Sequence, residues 1–105
     1  MTVKLSLASL DSLPARVARP SYRRDDLSAG ILHFGVGNFH RAHQAVYLDA
    51  LFNAGEGHDW AIAGAGVLAA DAAGRERLAR QDFLTTVVEQ DDGHMAAQVT
   101  GAMVE

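Results

Sequence analysis

Gly35-Val36-Gly37-Asn38-Phe39-His40 is the segment whose residue types and spacing could do chemistry. An apolar run, Ile31 to Val36, leads into it, and residues 39–54, free of glycine and proline, follow it. Such a pattern predicts a strand, a tight turn and a helix. The first glycine permits the turn. The second lets the backbone approach a pyrophosphate, whose charge then faces the N–H groups of the helix start. The third glycine of the full dinucleotide fingerprint is absent, because His40 fills its slot. A pair of purely structural turn glycines is the alternative reading.

The residues after the turn add to this. His40, Arg41 and His43 place cationic or potentially cationic groups at a helix N-terminus. The helix dipole disfavours positive charge there by a few tenths to about 1 kcal/mol, and a bound phosphate would reverse the sign. Arg41 could instead reach solvent or pair with Asp49 or Asp71. His33, His40 and His43 have no acidic ligand close in sequence, so no metal site is expected. A dinucleotide site also uses an acid beyond its second strand to hold the adenosine ribose. Here that strand ends on Gly64-Ala65-Gly66, and the first acid beyond it is Asp71, 36 residues after Gly35. Asp71 is either that ribose ligand or a helix N-cap.

The elements that must position these residues are short. Residues 1–30 read as a lead-in segment, with Leu5, Leu7, Leu10 and Leu13 forming a short helix or packed strand before Pro14. Arg16, Arg19, Arg23 and Arg24, with Asp25 and Asp26, read as a solvated, salt-bridged loop. Ile31–Val36 suits a buried parallel strand. Residues 39–54 predict a helix apolar nearly all round, closed by Gly55. Trp60 to Ala65 predicts a second strand, and Asp71 to Arg80 a second helix, with Glu76 and Arg80 spaced for an i,i+4 pair. Residues 83–90 have β character, Asp91-Asp92-Gly93 is turn chemistry, and His94 to Val104 predicts the returning strand. The expected fold class is α/β: strand, helix, strand, helix, then a β-hairpin, the first part of a dinucleotide-binding domain over 31–105.

Composition bounds the function. The 105 residues are 49% hydrophobic and 21% charged, with a net charge of −4 and no cysteine. These values fit one folded domain and exclude a disulfide scaffold and thiol chemistry. Nine basic residues against thirteen acidic ones argue against a nucleic-acid surface. No apolar run approaches the roughly 20 residues of a membrane span, and the N-terminus lacks a signal-peptide pattern. A cytoplasmic protein is expected.

The string Gly35-Val36-Gly37-Asn38-Phe39-His40-Arg41-Ala42-His43-Gln44 resembles the N-terminal motif of the long-chain mannitol dehydrogenase family of polyol 2-dehydrogenases. Tyr47, Asp49-Ala50-Leu51, Gly55-Glu56-Gly57, Asp59-Trp60, Gln81-Asp82 and Gly101 extend the likeness across residues 13–105. The resemblance implies a Rossmann-type N-terminal domain followed by a mostly helical one. It implies NAD-dependent interconversion of a sugar alcohol and a ketose, of the mannitol/fructose type. Fructuronate and tagaturonate reductases share the fold and form the alternative. A non-catalytic nucleotide-binding module, or a scaffold that binds nothing, are readings from other classes. The 55–60 stretch and the Gly64-Ala65-Gly66 strand end look more like the mannitol branch.

Site residues follow from the same resemblance. Gly35, Gly37 and Asn38 match the turn under the pyrophosphate, and Phe39 and Arg41 match the helix start. Asp71 matches the aspartate that holds the adenosine ribose. Ala70 stands where the family often has a second acid, which leaves NADP as an alternative to NAD. The family's catalytic lysine, with asparagine and histidine partners, lies far downstream. The single lysine here, Lys4, matches no such motif. The chain is thus expected to be the first part of a longer enzyme, inactive alone and prone to self-association, with a polyol or ketose as the substrate of the full enzyme.

Overall fold

The computed structural model describes residues 4–35 and 37–105. Its strands are β1 (Val17–Ala18), β2 (Ala29–Phe34), β3 (Ala61–Ala65), β4 (Thr85–Asp91) and β5 (His94–Thr100). Its α-helices are α1 (Asn38–Ala42), α2 (Gln44–Asn53) and α3 (Asp71–Arg80). The strand–helix–strand–helix–hairpin order expected from the sequence is therefore present.

β2 and β3 pair in parallel, from Ala29 opposite Ala61 to Phe34 opposite Ala65. Residues 102–105 run along the other side of β3, also in parallel. Ile62 N–H donates to the Ala102 carbonyl at 2.9 Å, Val104 N–H to Ile62 at 2.9 Å, and Gly64 N–H to Glu105 at 2.7 Å. Three consecutive parallel segments thus lie side by side in the order third, second, first. That strand order is the one found in half of a doubly wound parallel sheet. Ala61, Ile62, Ala102 and Met103 are buried here together with Ala45, Phe52 and Leu78, and form the core.

The hairpin belongs to a second sheet. β4 and β5 pair antiparallel through the Asp92-Gly93 turn, and β1 adds in parallel to the far side of β5. Thr85 and Thr100 face each other, buried, with their hydroxyl oxygens 2.8 Å apart. β5 stops at Thr100, four residues before the expected end of the returning strand. The chain leaves this sheet at Gly101 and joins β3. The sequence pattern of 94–104 reads as one strand because both sheets take the same apolar residues; only the pairing partner changes.

Two further expectations are corrected. The first strand is expected over 31–36 and buried. It spans 29–34, because Gly35 adopts φ +86° and ends it, and it leaves Leu32 63% and Phe34 62% exposed. Val36 lies outside the described residues. The helix expected over 39–54 is two helices. At His43 the backbone leaves the helical region (φ −122°, ψ −79°), and its N–H bonds the His40 carbonyl at 3.3 Å. α2 buries one stripe, Ala45, Asp49 and Phe52, and exposes Tyr47, so its apolar residues are not all covered.

The lead-in packs onto the domain. Leu7–Ser12 is a 3-10 turn, with Ser6 and Ser9 capping each other's backbone. Of the arginines, Arg16 and Arg23 fit the solvated loop: Arg16 is exposed, and Arg23 pairs with Asp25 at 3.8 Å with both side chains exposed. Arg19 instead donates to the carbonyls of Leu10, Leu13, Pro14 and Val17. Arg24 donates to the carbonyls of Asp82 (3.0 Å) and Met103 (2.9 Å), joining lead-in, α3 exit and third strand. Burial pulls its guanidinium below its ordinary value. Tyr22 hydroxyl donates to Asp49, which is buried in α2 and also accepts from Gly101 N–H (2.9 Å) and Asn53 (3.1 Å). Burial, then the Asp49 hydrogen bond, raises the Tyr22 phenol well above its usual range.

Candidate nucleotide-binding cleft

β2 and β3 both end at one cleft of about 970 Å³. Gly35 and Gly37 line it from the turn after β2, and Ala65 and Gly66 from the end of β3. In open parallel sheets, ligands sit outside the carboxyl ends of the strands, as this cleft does. The ladder continues past β2, with Gly35 N–H bonded to the Ala65 carbonyl at 2.9 Å, so the two ends are held in register. Gly35 needs its left-handed backbone for the turn. Gly37 does not, and a Cβ there would meet no non-neighbouring atom within 4 Å among the described residues. What its missing side chain leaves is open space over the turn.

Four of the six residues singled out in the sequence line this cleft: Gly35, Gly37, Arg41 and Asp71. Asn38 and Phe39 open α1, and their side chains lie outside the described residues. Arg41 Nε reaches the Gly37 carbonyl at 3.4 Å, which draws the guanidinium stem toward the turn. The alternative pairing of Arg41 with Asp49 loses its partner, because the Asp49 carboxylate is buried among Tyr22, Asn53 and Gly101.

Asp71 is not the helix cap. Ala70 holds the N-cap position of α3 without a side-chain bond, and Asp71 is the first helical residue. Its Oδ2 turns back and accepts the N–H groups of Val67 and Leu68, each at 2.9 Å. The loop after β3 is fastened to α3 by that one oxygen. Gly66 makes this possible, because a Cβ on it would fall 2.4 Å from the Asp71 Cβ. Oδ1 makes no hydrogen bond among the described residues.

The cleft also holds residues that the motif does not contain. Gly74, Arg75 and Arg77 line it from α3, and Phe83 from the segment after that helix. The spacing of Asp71 and Arg75, four residues apart on a predicted helix, puts both on one face and is the signal that could have found Arg75. Nothing in the sequence brings Phe83 to the same place. With Arg41, the three arginines outnumber the carboxylates of Asp71 and Glu105, which suits an anionic ligand.

Beneath the turn, the His33 and His40 rings stack with centroids 3.9 Å apart. His40 Nδ1 lies 3.1 Å from Gln44 Oε1, while His40 Nε2 and His33 Nδ1 are buried without a hydrogen-bond partner. Burial, then His33 and Arg41, lowers the His40 imidazole below its ordinary value. His40 therefore packs under the glycine turn as a neutral ring, not as a cation for a phosphate.

Residues 29–105 match the family model for the mannitol dehydrogenase Rossmann domain. The mannitol 2-dehydrogenase of Cereibacter sphaeroides is 68% identical over 89 residues, covering 84% of this chain and 18% of that protein. The mannitol 2-dehydrogenase of Pyricularia oryzae is 43% identical over 107 residues, covering 98% and 21%. Among solved structures, Pseudomonas fluorescens mannitol 2-dehydrogenase, in a ternary complex with NAD and D-mannitol, superposes with a TM-score of 0.94 at 44% identity. That match covers 98% of this chain and 21% of the other. The chain thus spans about a fifth of the length of the relatives it matches. The parallel segments, the glycine turn and α3 all fall inside residues 29–105, and the chain belongs to the mannitol dehydrogenase family through that family's Rossmann domain.

Proposed function

We propose that the cleft binds NAD and that the protein carrying it interconverts a sugar alcohol and a ketose of the mannitol/fructose type. One observation carries the binding: Gly35, Gly37, Arg41 and Asp71, spread over 37 residues, meet in one cleft at the carboxyl ends of two parallel strands. Gly35 and Gly37 hold the turn against the pyrophosphate, with the N–H groups opening α1 at Asn38 and Phe39 facing it. Arg41 supplies countercharge beside it. Asp71 keeps the loop shut with Oδ2 and offers Oδ1 to the adenosine ribose. Bound NAD supplies the hydride acceptor.

The mannitol reading of the substrate is supported by relatives that are named mannitol 2-dehydrogenases, one of them solved with D-mannitol. The uronate-reductase alternative has no comparable support. Oxidation of an alcohol needs a proton acceptor beside it. The family resemblance implies a lysine acceptor far downstream, and Lys4, the single lysine of this sequence, does not line the cleft. Under this proposal residues 31–105 begin the dinucleotide-binding domain, residues 1–30 brace it, and the protein works in the cytoplasm. No helix among the described residues is long and apolar enough to cross a membrane.

Calorimetric titration with NAD tests the binding. Saturable uptake is expected, and its absence would overturn the proposal. The 105 residues incubated with mannitol and NAD should give no turnover; measurable NADH would place the proton acceptor within them.

A further inference from the structure

The lead-in reaches the cleft through one side chain. Arg24 lies five residues before the stretch that the family model matches. Its Nη2 donates to two carbonyls at once, Asp82 at 3.0 Å and Met103 at 2.9 Å. Met103 lines the cleft itself, and Asp82 sits between Gln81 and Phe83, which line it too. One nitrogen thus joins two stretches of the lining that are 21 residues apart in the chain. Gly101 leaves the passage open: a Cβ there would fall 3.2 Å from Arg24 Cδ and 3.0 Å from the Tyr22 hydroxyl.

The stretch held in this way does not hold itself. Asp82 and Phe83 are both left-handed, at φ +56° and +59°. A bulky residue in that region is strained and persists only where its surroundings enforce it. The lead-in supplies two of the bonds that do so: Leu7 N–H donates to the Asp82 carboxylate at 2.8 Å, and Arg24 donates to its carbonyl. Phe83, so placed, backs Arg75, whose guanidinium lies 5.8 Å from the ring centroid. Stability alone does not call for an arginine at position 24. Its Nε and Nη1 are buried without a hydrogen-bond partner among the described residues. A buried charge with idle donors is costly to desolvate, and a well-packed apolar side chain of similar volume is often as stable. What an apolar side chain cannot do is tie the two carbonyls together.

We infer that Arg24 is a positioning residue for the cofactor cleft: through the Asp82 and Met103 carbonyls it holds the exit of α3 against segment 102–105, at the spacing that NAD meets. The inference rests on the NAD reading above and adds to it a lead-in residue that does not itself line the cleft. Phe83 and Met103 are set by the same nitrogen, so its loss releases both walls together. A cleft without its preset shape binds more weakly, because binding must then supply the ordering. Docking of the lead-in is separable from this role. It has other bonds, Ser21 N–H to Asn53 Oδ1 at 2.8 Å and the Tyr22 hydroxyl to Asp49, which do not pass through Arg24.

The test compares wild type with Arg24→Met, Arg24→Lys and Tyr22→Phe, each measured where it is fully folded. Amide hydrogen exchange reads the clamp without any ligand, and calorimetric titration with NAD reads its consequence. Arg24→Met should exchange about tenfold faster at Phe83 and Val104 and bind NAD about tenfold more weakly, with a thermal midpoint within about 4 °C of wild type. Arg24→Lys should recover most of the affinity, because one ammonium can donate to both carbonyls. Tyr22→Phe should lower the midpoint and leave NAD affinity unchanged, since it loosens the lead-in without touching the clamp. If Arg24→Met does not fold, Arg24→Gln carries the same expectation: it stays polar but is too short to span both carbonyls. Wild-type NAD affinity in the methionine or glutamine variant, no gain from lysine, or an equal loss in Tyr22→Phe would each overturn the inference and leave the NAD reading intact. Failure of the wild-type protein to bind NAD at all would overturn the NAD reading, and this inference with it.

Discussion

Gly35 and Gly37 look equivalent in the sequence and do different work. Gly35 is left-handed, so Gly35→Ala should lower stability by about 1 kcal/mol in a denaturant titration. A Cβ at Gly37 meets no non-neighbouring atom among the described residues, so Gly37→Val should unfold near the wild-type midpoint and lose NAD binding. Equal NAD affinity in that variant would remove the turn from the site. Under the NAD proposal Asp71 also has two separable jobs. Asn at 71 keeps an oxygen for the Val67 and Leu68 N–H groups but drops the charge that repels a 2′-phosphate. In the complete enzyme, Asp71→Asn should narrow the kcat/KM preference for NAD over NADP without shifting the midpoint. Asp71→Ala should do both, with a loss of about 1 kcal/mol. An unchanged cofactor ratio in both variants would leave Asp71 as a loop anchor alone.

Between elements, buried polar contacts do the joining. Asp49 ties α2 to Tyr22 of the lead-in and to Gly101 at the end of β5. Removing one partner of such a buried network leaves others unsatisfied, so Asp49→Ala should cost about 3 kcal/mol by chemical denaturation. A loss under 1 kcal/mol would show that the lead-in docks by other means. The junction of β2 and α1 carries a pH dependence. Burial lowers the folded-state value of His40 below its ordinary 6.5, so the unfolded chain binds the proton more readily. Stability is therefore full above pH 6.5, falls as pH drops through the window below it, and levels off under the folded value. His40→Gln should flatten the unfolding free energy across that window; an unaltered slope would acquit His40.

At the scale of the whole molecule, the exposed apolar surface is displaced from where the sequence put it. The helix pattern pointed to residues 39–54. The structure instead leaves Leu32 and Phe34 bare on β2, together with Tyr47 on α2 and Trp60 before β3. Exposed apolar patches of several hundred Å² favour association, and β2 is an edge strand of its sheet. The 105 residues should therefore self-associate as concentration rises, and Leu32→Ser with Phe34→Ser should reduce it. Light scattering across a tenfold concentration range checks both; a monomer throughout would show that this face stays solvated.

The local grammar was legible in the chain. The glycine turn, the Asp71–Arg80 helix and the Asp92-Gly93 hairpin each follow from residues a few positions apart, where propensity and turn chemistry act. The convergence of Gly35, Gly37, Arg41 and Asp71 could be expected from motif and resemblance. Sequence alone could not place the switch of the chain from β5 to β3 at Gly101, since both sheets accept the same apolar residues. Nor could it show the break at His43, or the ring contact of His33 on β2 with His40 on α1. It gave no sign that Arg19 and Arg24 serve backbone carbonyls, or that Phe83 turns left-handed to back Arg75. Those features depend on contacts between segments far apart in the chain. Pattern fixes what each segment prefers, and only tertiary packing decides which preferences are overruled.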